Sequence, residues 1–290
     1  LKEADLQLKT NLLMYDLSSK QASYSSRAFI ESTKSQNKLT SLKGTYHSNI
    51  KTLFFKDSVE LEHPKYKMNS DTLVYNTTTE ISFFNGPSTI TSKSNTIKCN
   101  NGWYDTKNDL SSFWNKASII SESQIVSGDS IYYDSNLETG KIFGNILIYD
   151  TIDKKIISGN YAYHNAITDS SVVEQKAMLS QYYQDDTLHI LADKFINIDD
   201  SVNLNSLRGF GNVRFYKKDI QGLCDSISFK ERISPAGTCG NRRGTPPSPP
   251  TSCRRPRRRY RTRASTSRCR LKTNGTYRAS KGGGQAATPR

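Results

Sequence analysis

The chain has little of what usually carries catalytic chemistry. Its four histidines, His47, His63, His164 and His189, show neither H-x-x-x-H nor H-E-x-x-H spacing, and its five cysteines include no C-x-x-C pair. Zinc and thioredoxin-like chemistry therefore have no support. No G-x-S-x-G, P-loop or Cys/His nucleophile pattern occurs, so neither an enzymatic activity nor a metal or cofactor is expected. Gly209-Phe210-Gly211 lacks a third glycine and a following helix, and reads as a strand-edge feature. Asp185-Asp186 and Asp199-Asp200 are adjacent pairs, which in a strand face opposite ways, and they read as solvated turns. No apolar run approaches the roughly 20 residues of a membrane-spanning helix. The chain does not open on Met and carries no N-terminal signal segment, as expected of a trimmed secreted protein or of a fragment.

Proline and acidic charge are short in opposite halves. Only Pro64 and Pro87 precede residue 235, both at expected strand edges, and the other seven prolines follow. Residues 236–290 hold 15 Lys and Arg and no Asp or Glu, so the net charge of +14 leaves the body that precedes them at −1. Beyond Ile233 there is no Ile, Val, Phe, Trp or Met. Such a segment cannot form a core, and residues 235–290 are expected to be a disordered Arg/Pro-rich tail. Every compositional habit flips at one point. An out-of-frame translation is therefore favoured over an anionic-surface arm or a tail with no partner. A disulfide between Cys99 and Cys224, the two body cysteines, is open.

What is present is repetition. Asp71 to Asp129, Tyr75 to Tyr133, Gly86 to Gly144 and Tyr46 to Tyr104 all fall at one common spacing, about 58 residues. The clearest stretch, Ser127 to Asp150, reads as strand, turn, strand, with period-two alternation around Ile131, Tyr133, Ile146 and Ile148. Units fall near 42–101, 102–158 and 159–221, with a partial unit at 222–234. Residues 1 to about 40 read as one or two edge strands. Asp71 and Asp129 are expected at strand starts, accepting backbone N–H bonds in turns. Asn76-Thr77-Thr78 is a formal glycosylation sequon.

The fold class this implies is all-β: a repeat-built roll or solenoid of stacked antiparallel strands spanning 1–234. One unit cannot bury its own apolar face, and stacked units can. Leu73, Tyr75, Phe83, Tyr104, Phe113, Ile131, Tyr133, Ile146, Ile148 and Tyr163 are expected to point inward. Each is read first as core; as a set they would line an apolar trough suited to acyl chains.

The motifs G-x-Tyr-Asp/His, S/G-Asp-Ser/Thr-Ile/Leu-x-Tyr-Asn/Asp and Gly-Asn-Ile/Val-x-Ile/Phe resemble the OstA-like group, which includes LptA and the periplasmic portion of LptD. The similarity covers roughly 42–230 and is clearest over Phe83–Asp105, Gly128–Asp150 and Asp186–Asp193. The resemblance implies a β-jellyroll or β-taco in the periplasm that carries lipopolysaccharide to the outer membrane without catalysis. It also implies end-to-end self-association through strand edges, with other OstA-like rolls and an outer-membrane translocon as partners. The alternative is a structural or carbohydrate-binding β-solenoid. Nucleic acid is not an expected partner of the near-neutral body.

Overall fold

The computed structural model describes residues 2–3, 6–32, 36–200, 204–232, 265–273 and 276–279. Every regular element among them is a strand. Seven short strands come first: β1 (Lys2–Glu3), β2 (Leu6–Thr10), β3 (Met14–Asp16), β4 (Gln21–Tyr24), β5 (Ala28–Ser32), β6 (Lys38–Ser41) and β7 (Lys43–His47). Twelve long strands follow: β8 (Thr52–His63), β9 (Tyr66–Asn76), β10 (Ile81–Ser92), β11 (Asn95–Asp105), β12 (Leu110–Ser121), β13 (Gln124–Asp134), β14 (Thr139–Asp150), β15 (Lys155–Asn165), β16 (Ser170–Tyr182), β17 (Thr187–Asp200), β18 (Leu204–Lys217) and β19 (Ile220–Arg232). In the region expected to be disordered, β20 (Ser265–Thr273) pairs with β19 and β21 (Thr276–Ala279) pairs with β20. The rest of that region lies outside the described residues.

From β8 onward each strand pairs antiparallel with the next, a meander. The short strands are long strands broken in the middle. β7 pairs the first half of β8 and β6 the second; β4 and β5 add in the same way to β7 and β6. Every long strand changes register at its midpoint, between Lys56 and Val59 in β8, Trp114 and Ala117 in β12, and Phe143 and Ile146 in β14. Alternate strands take left-handed backbone there: Asp57-Ser58, Asn115-Lys116, Gly144-Asn145 and Gln175-Lys176. These are bulges, which bend a strand and sharpen its twist. Aligned across the sheet, they form one crease.

The sheet is folded double along that crease. Tyr104 is in register with Ser82 and, through it, with Tyr75. Tyr75 lies nine residues along β9 from Tyr66, about 30 Å on a flat strand. Yet the Tyr66 and Tyr104 rings are 6.4 Å apart and edge-on. The first arm holds Thr52–Lys56 of β8 and its register partners; the second holds Val59–His63 and its partners. The expected all-β roll of stacked antiparallel strands is what the structure shows.

The structural repeat is half as long as the spacing that stands out in the sequence. It is one hairpin, as the evenly spaced inward tyrosines Tyr46, Tyr75, Tyr104 and Tyr133 show. Turns set this period. Asp16, Asn76, Asp105 and Asp134 each open a turn and accept backbone N–H bonds two and three residues on, at 2.8–3.3 Å. Successive turns also bond to one another: the N–H groups of Thr77, Thr106 and Ser135 donate to the carbonyls of Lys51, Glu80 and Asp109. Asn76 is committed to this work, and its Nδ2 donates to the Ile50 carbonyl and Thr52 Oγ1. The sequon is thus part of a turn cap.

Two expectations change and one open question closes. Asp71 and Asp129 sit mid-strand at the crease, not at strand starts: Asp129 accepts from Asn145 Nδ2 at 3.0 and 3.1 Å, across the bulge. Pro87 also lies mid-strand, beside the left-handed Gly86 (φ 90°), where the register shift exempts it from donating to the ladder. Cys99 and Cys224 lie on β11 and β19, eight strands and about 38 Å apart, so no disulfide joins them. Cys99 is a free, buried thiol.

Candidate functional site

The site is the space between the arms, built from cross-strand rows of inward side chains. On the first arm beside the crease the register aligns Phe55, Leu73, Phe84, Gly102, Phe113 and Ile131, and continues through Ile142, Ala162 and Val173. Phe84 is fully buried because its neighbour is glycine. A Cβ on Gly102 would fall inside the Phe84 ring. Without it the ring lies over β11 and reaches Phe113, 6.1 Å between centroids. Full burial of one such side chain contributes about 1.5–3 kcal/mol.

The second arm faces this row with aliphatic side chains. Leu39, Leu61, Met68, Ile90, Ile97 and Ile119 are in register, and Val126, Ile148, Ile157, Leu179 and Ile190 extend the line. Beside the crease this arm is small and partly polar; Ser70 and Ser88 bond to each other, 2.8 Å between hydroxyls.

Burial along the aliphatic line is uneven. Leu39 and Met68 are buried at one end, and Ile157, Leu179 and Ile190 at the other. Between them Ile90, Ile97, Ile119, Val126 and Ile148 are only half-buried although they point inward. Ile90, Ile97 and Ile119 pack against one buried cluster and Ile148 against a second, with Ile142 packed against both. In the middle of the roll the inward line of the second arm is therefore apolar and partly accessible.

The rim is polar. On the first arm Tyr46, Tyr75, Tyr104, Tyr133 and His164 occupy alternate strands of one inward row, with Leu53, Ser82, Ser111 and Gly140 between them. Tyr104 donates to Asp109 Oδ1 at 2.8 Å. Burial raises the hydroxyl pKa values of Tyr75, Tyr104 and Tyr133, and the nearby Glu80, Asp109 and Glu138 raise them further. These rings stay neutral and hydrogen-bonding at physiological pH. The facing rim on the second arm carries Tyr66, Ser92, Asn95, Ser121 and Gln124. Lys155 lies 3.4 Å from Asp150 and 3.2 Å from Asp153.

The ten residues singled out in the sequence divide accordingly. Leu73, Phe113, Ile131 and Ile146 are buried between the arms. Tyr75, Tyr104, Tyr133 and Ile148 are half-buried on inward rows. Phe83 and Tyr163 are corrections. Phe83 is 45% exposed on the outer face, and its neighbour Phe84 takes the inner place. Tyr163 stands opposite the exposed Lys141 while Ala162 stands opposite Ile142, so alternation puts Tyr163 outside and His164 on the tyrosine row. Sequence reading missed Ile90, Ile97, Ile119 and Val126. Ile119 and Val126 lie in apolar pairs at the end of a strand opposite the tyrosines, whereas Ile90 and Ile97 stand alone between polar residues.

His164 and His189 are half-buried strand residues, 2.9 and 3.0 Å from Ser171 and Ser180 hydroxyls. Among the described residues no group of three or more His, Cys, Asp or Glu gathers to hold a metal ion.

Comparison with known proteins adds a family match. Residues 1–71 match the family described as OstA-like protein. That stretch covers β1 to the middle of β9. The match begins in the region least informative to sequence reading and overlaps the repeat only over 42–71. A crystal structure of LptH from Pseudomonas aeruginosa, described as the LptA-homologous periplasmic component of the conserved lipopolysaccharide transport device, is similar at 15% identity. It covers 35% of this chain and 73% of that chain, with a TM-score of 0.31. No curated protein matches the chain.

Proposed function

We propose that the roll is a periplasmic carrier that holds the acyl chains of lipopolysaccharide between its arms and passes the lipid along a bridge toward the outer membrane. The observation that carries this reading is a run of half-buried side chains on the second arm: Ile90, Ile97, Ile119, Val126 and Ile148 face inward yet stay partly accessible. Apolar surface of that kind is costly to leave in water, and acyl chains cover it at about 0.8 kcal/mol per buried CH₂. The polar rim suits a phosphorylated headgroup, whose charge stays in water because burying it unpaired is prohibitive. The OstA-like match supports the same reading and implies further rolls and a translocon as partners. No chemical step is involved.

The test is a pair of adjacent substitutions. Ile119 faces inward and Ile120 outward. Ile119→Asp sets a carboxylate against the acyl chains and is expected to weaken lipopolysaccharide binding about tenfold or more. Ile120→Asp is expected to leave it unchanged. Equal effects from the two variants would remove the trough as the binding site.

A further inference from the structure

Tyr66 is unlike its neighbours on the second rim. The other inward positions of that rim near it carry Ser92, Asn95, Ser121 and Gln124, too short to reach across. Tyr66 does reach across. His63 stacks on it at 4.5 Å, its own ring meets Tyr104 of the opposite arm edge-on, and Tyr104 donates to Asp109. This ring contact joins the two arms. Burial, followed by the Asp109 charge, pushes the Tyr66 hydroxyl up to about 12, as fits a ring held out of water.

The contact stands at a boundary. On its β1 side, Ile30, Leu39 and Met68 are buried and Leu61 is half-buried. On its other side the trough is open at Ile97, Ile119, Val126 and Ile148. We propose that Tyr66, Tyr104 and Asp109 form a strap across the mouth that confines acyl chains to the open section, and that a chain reaches the section between β5 and β9 only when the strap parts. This rests on the lipid reading above and assigns it positioning residues. The strap bears on movement along the roll. A chain entering sideways at the opening meets no barrier toward β14, whereas travel toward β1 requires the Tyr66–Tyr104 ring contact, with Tyr104 held by Asp109, to give way. The contact is not covalent and is a small part of the fold, so parting is compatible with an intact roll.

The experiment uses the full chain with a small diazirine side chain placed at Leu61, inside the strapped section, or at Ile119, in the open one. Lipopolysaccharide is the probe. With the strap intact the adduct is expected at Ile119 and nearly absent at Leu61. Tyr66→Ser is expected to raise labelling at Leu61 about fivefold or more, the size of a modest coupling between sites, and Tyr104→Phe, which keeps the ring and loses the bond to Asp109, by less. Strong labelling at Leu61 in the parent, or no rise in either variant, would overturn the strap.

A second readout needs no lipid. Spin labels carried on unnatural amino acids at Lys65 and Asn108, on exposed turns at the tips of the two arms, are expected to give a narrow distance distribution that Tyr66→Ser broadens. Equal widths would overturn the strap whether or not lipid binds. A narrow distribution with no adduct at Ile119 would instead overturn the lipid reading, with the strap standing on the distance alone.

Discussion

At Gly144 the backbone has φ +68°, and a Cβ there would run into the Asp129 carboxylate. Two penalties therefore meet in one substitution: the left-handed conformation, about 1–2 kcal/mol for an L side chain, and the displacement of a hydrogen-bonded carboxylate. Gly144→Ala is expected to destabilise the roll by about 2–4 kcal/mol, seen as a lower urea midpoint at unchanged slope. Asp16 makes a different prediction. Three bonds, from the Ser18 hydroxyl and the Ser18 and Ser19 N–H groups, hold its pKa at about 2, below the ordinary 3.8. A depressed folded-state pKa gives stability that is present above the unfolded value and is lost as pH falls toward the folded one. Asp16→Asn is expected to flatten the fall of the urea midpoint between about pH 4 and pH 2; an unchanged slope would exclude the cap. The sequence located Asp129 and Gly144 at the right spacing, but it assigned Asp129 to a turn and took Gly144 only as a landmark. A crease and a turn both call for Gly beside Asp or Asn, and composition alone does not separate them. Phe83 and Tyr163 failed for a related reason. Each has a bulky neighbour of opposite facing, and a one-residue change of phase turns every side chain over.

The hairpin is the unit in which the chain was built. Asp105 and Asp134 open equivalent turns one repeat apart, and the strands between them, β12 and β13, leave and return. Deleting 106–134 joins Asp105 to Ser135 and brings β14 beside β11, with Ile142 against Gly102 and Gly140 against Tyr104. The shortened chain is expected to fold as the same roll, with native strand content by circular dichroism and one cooperative transition at lower stability. Deleting 106–119 removes a single strand, reverses everything downstream and is expected to abolish folding. Survival of both deletions, or of neither, would contradict the hairpin repeat. The sequence showed this architecture at twice its true period. The hairpins alternate in their landmarks: Gly86 and Gly144 mark every second bulge, and Asn115-Lys116 marks the one between without glycine. Strand existence was legible because alternation is local. The crease was not, since it is the sum of one irregularity per strand and no single bulge announces it.

The whole molecule is a folded sheet whose second arm carries a run of half-buried inward side chains in the middle. The inward set read from the sequence found the first arm well, because aromatic residues at regular spacing stand out. It found little of the second arm, where isoleucine pairs look the same on either face. The opening itself exists only once both arms are opposed, and no stretch of sequence encodes it alone. That opening is what the account depends on, and neighbouring residues on opposite faces test it. A diazirine side chain is placed at Ile119 or at Ile120 in the full chain, lipopolysaccharide is added, and the adduct is quantified after illumination. The account predicts a strong adduct at Ile119 and background labelling at Ile120. Equal labelling at both, or none at Ile119 in a chain that keeps its β-sheet spectrum, would contradict it and return the isoleucines to ordinary core.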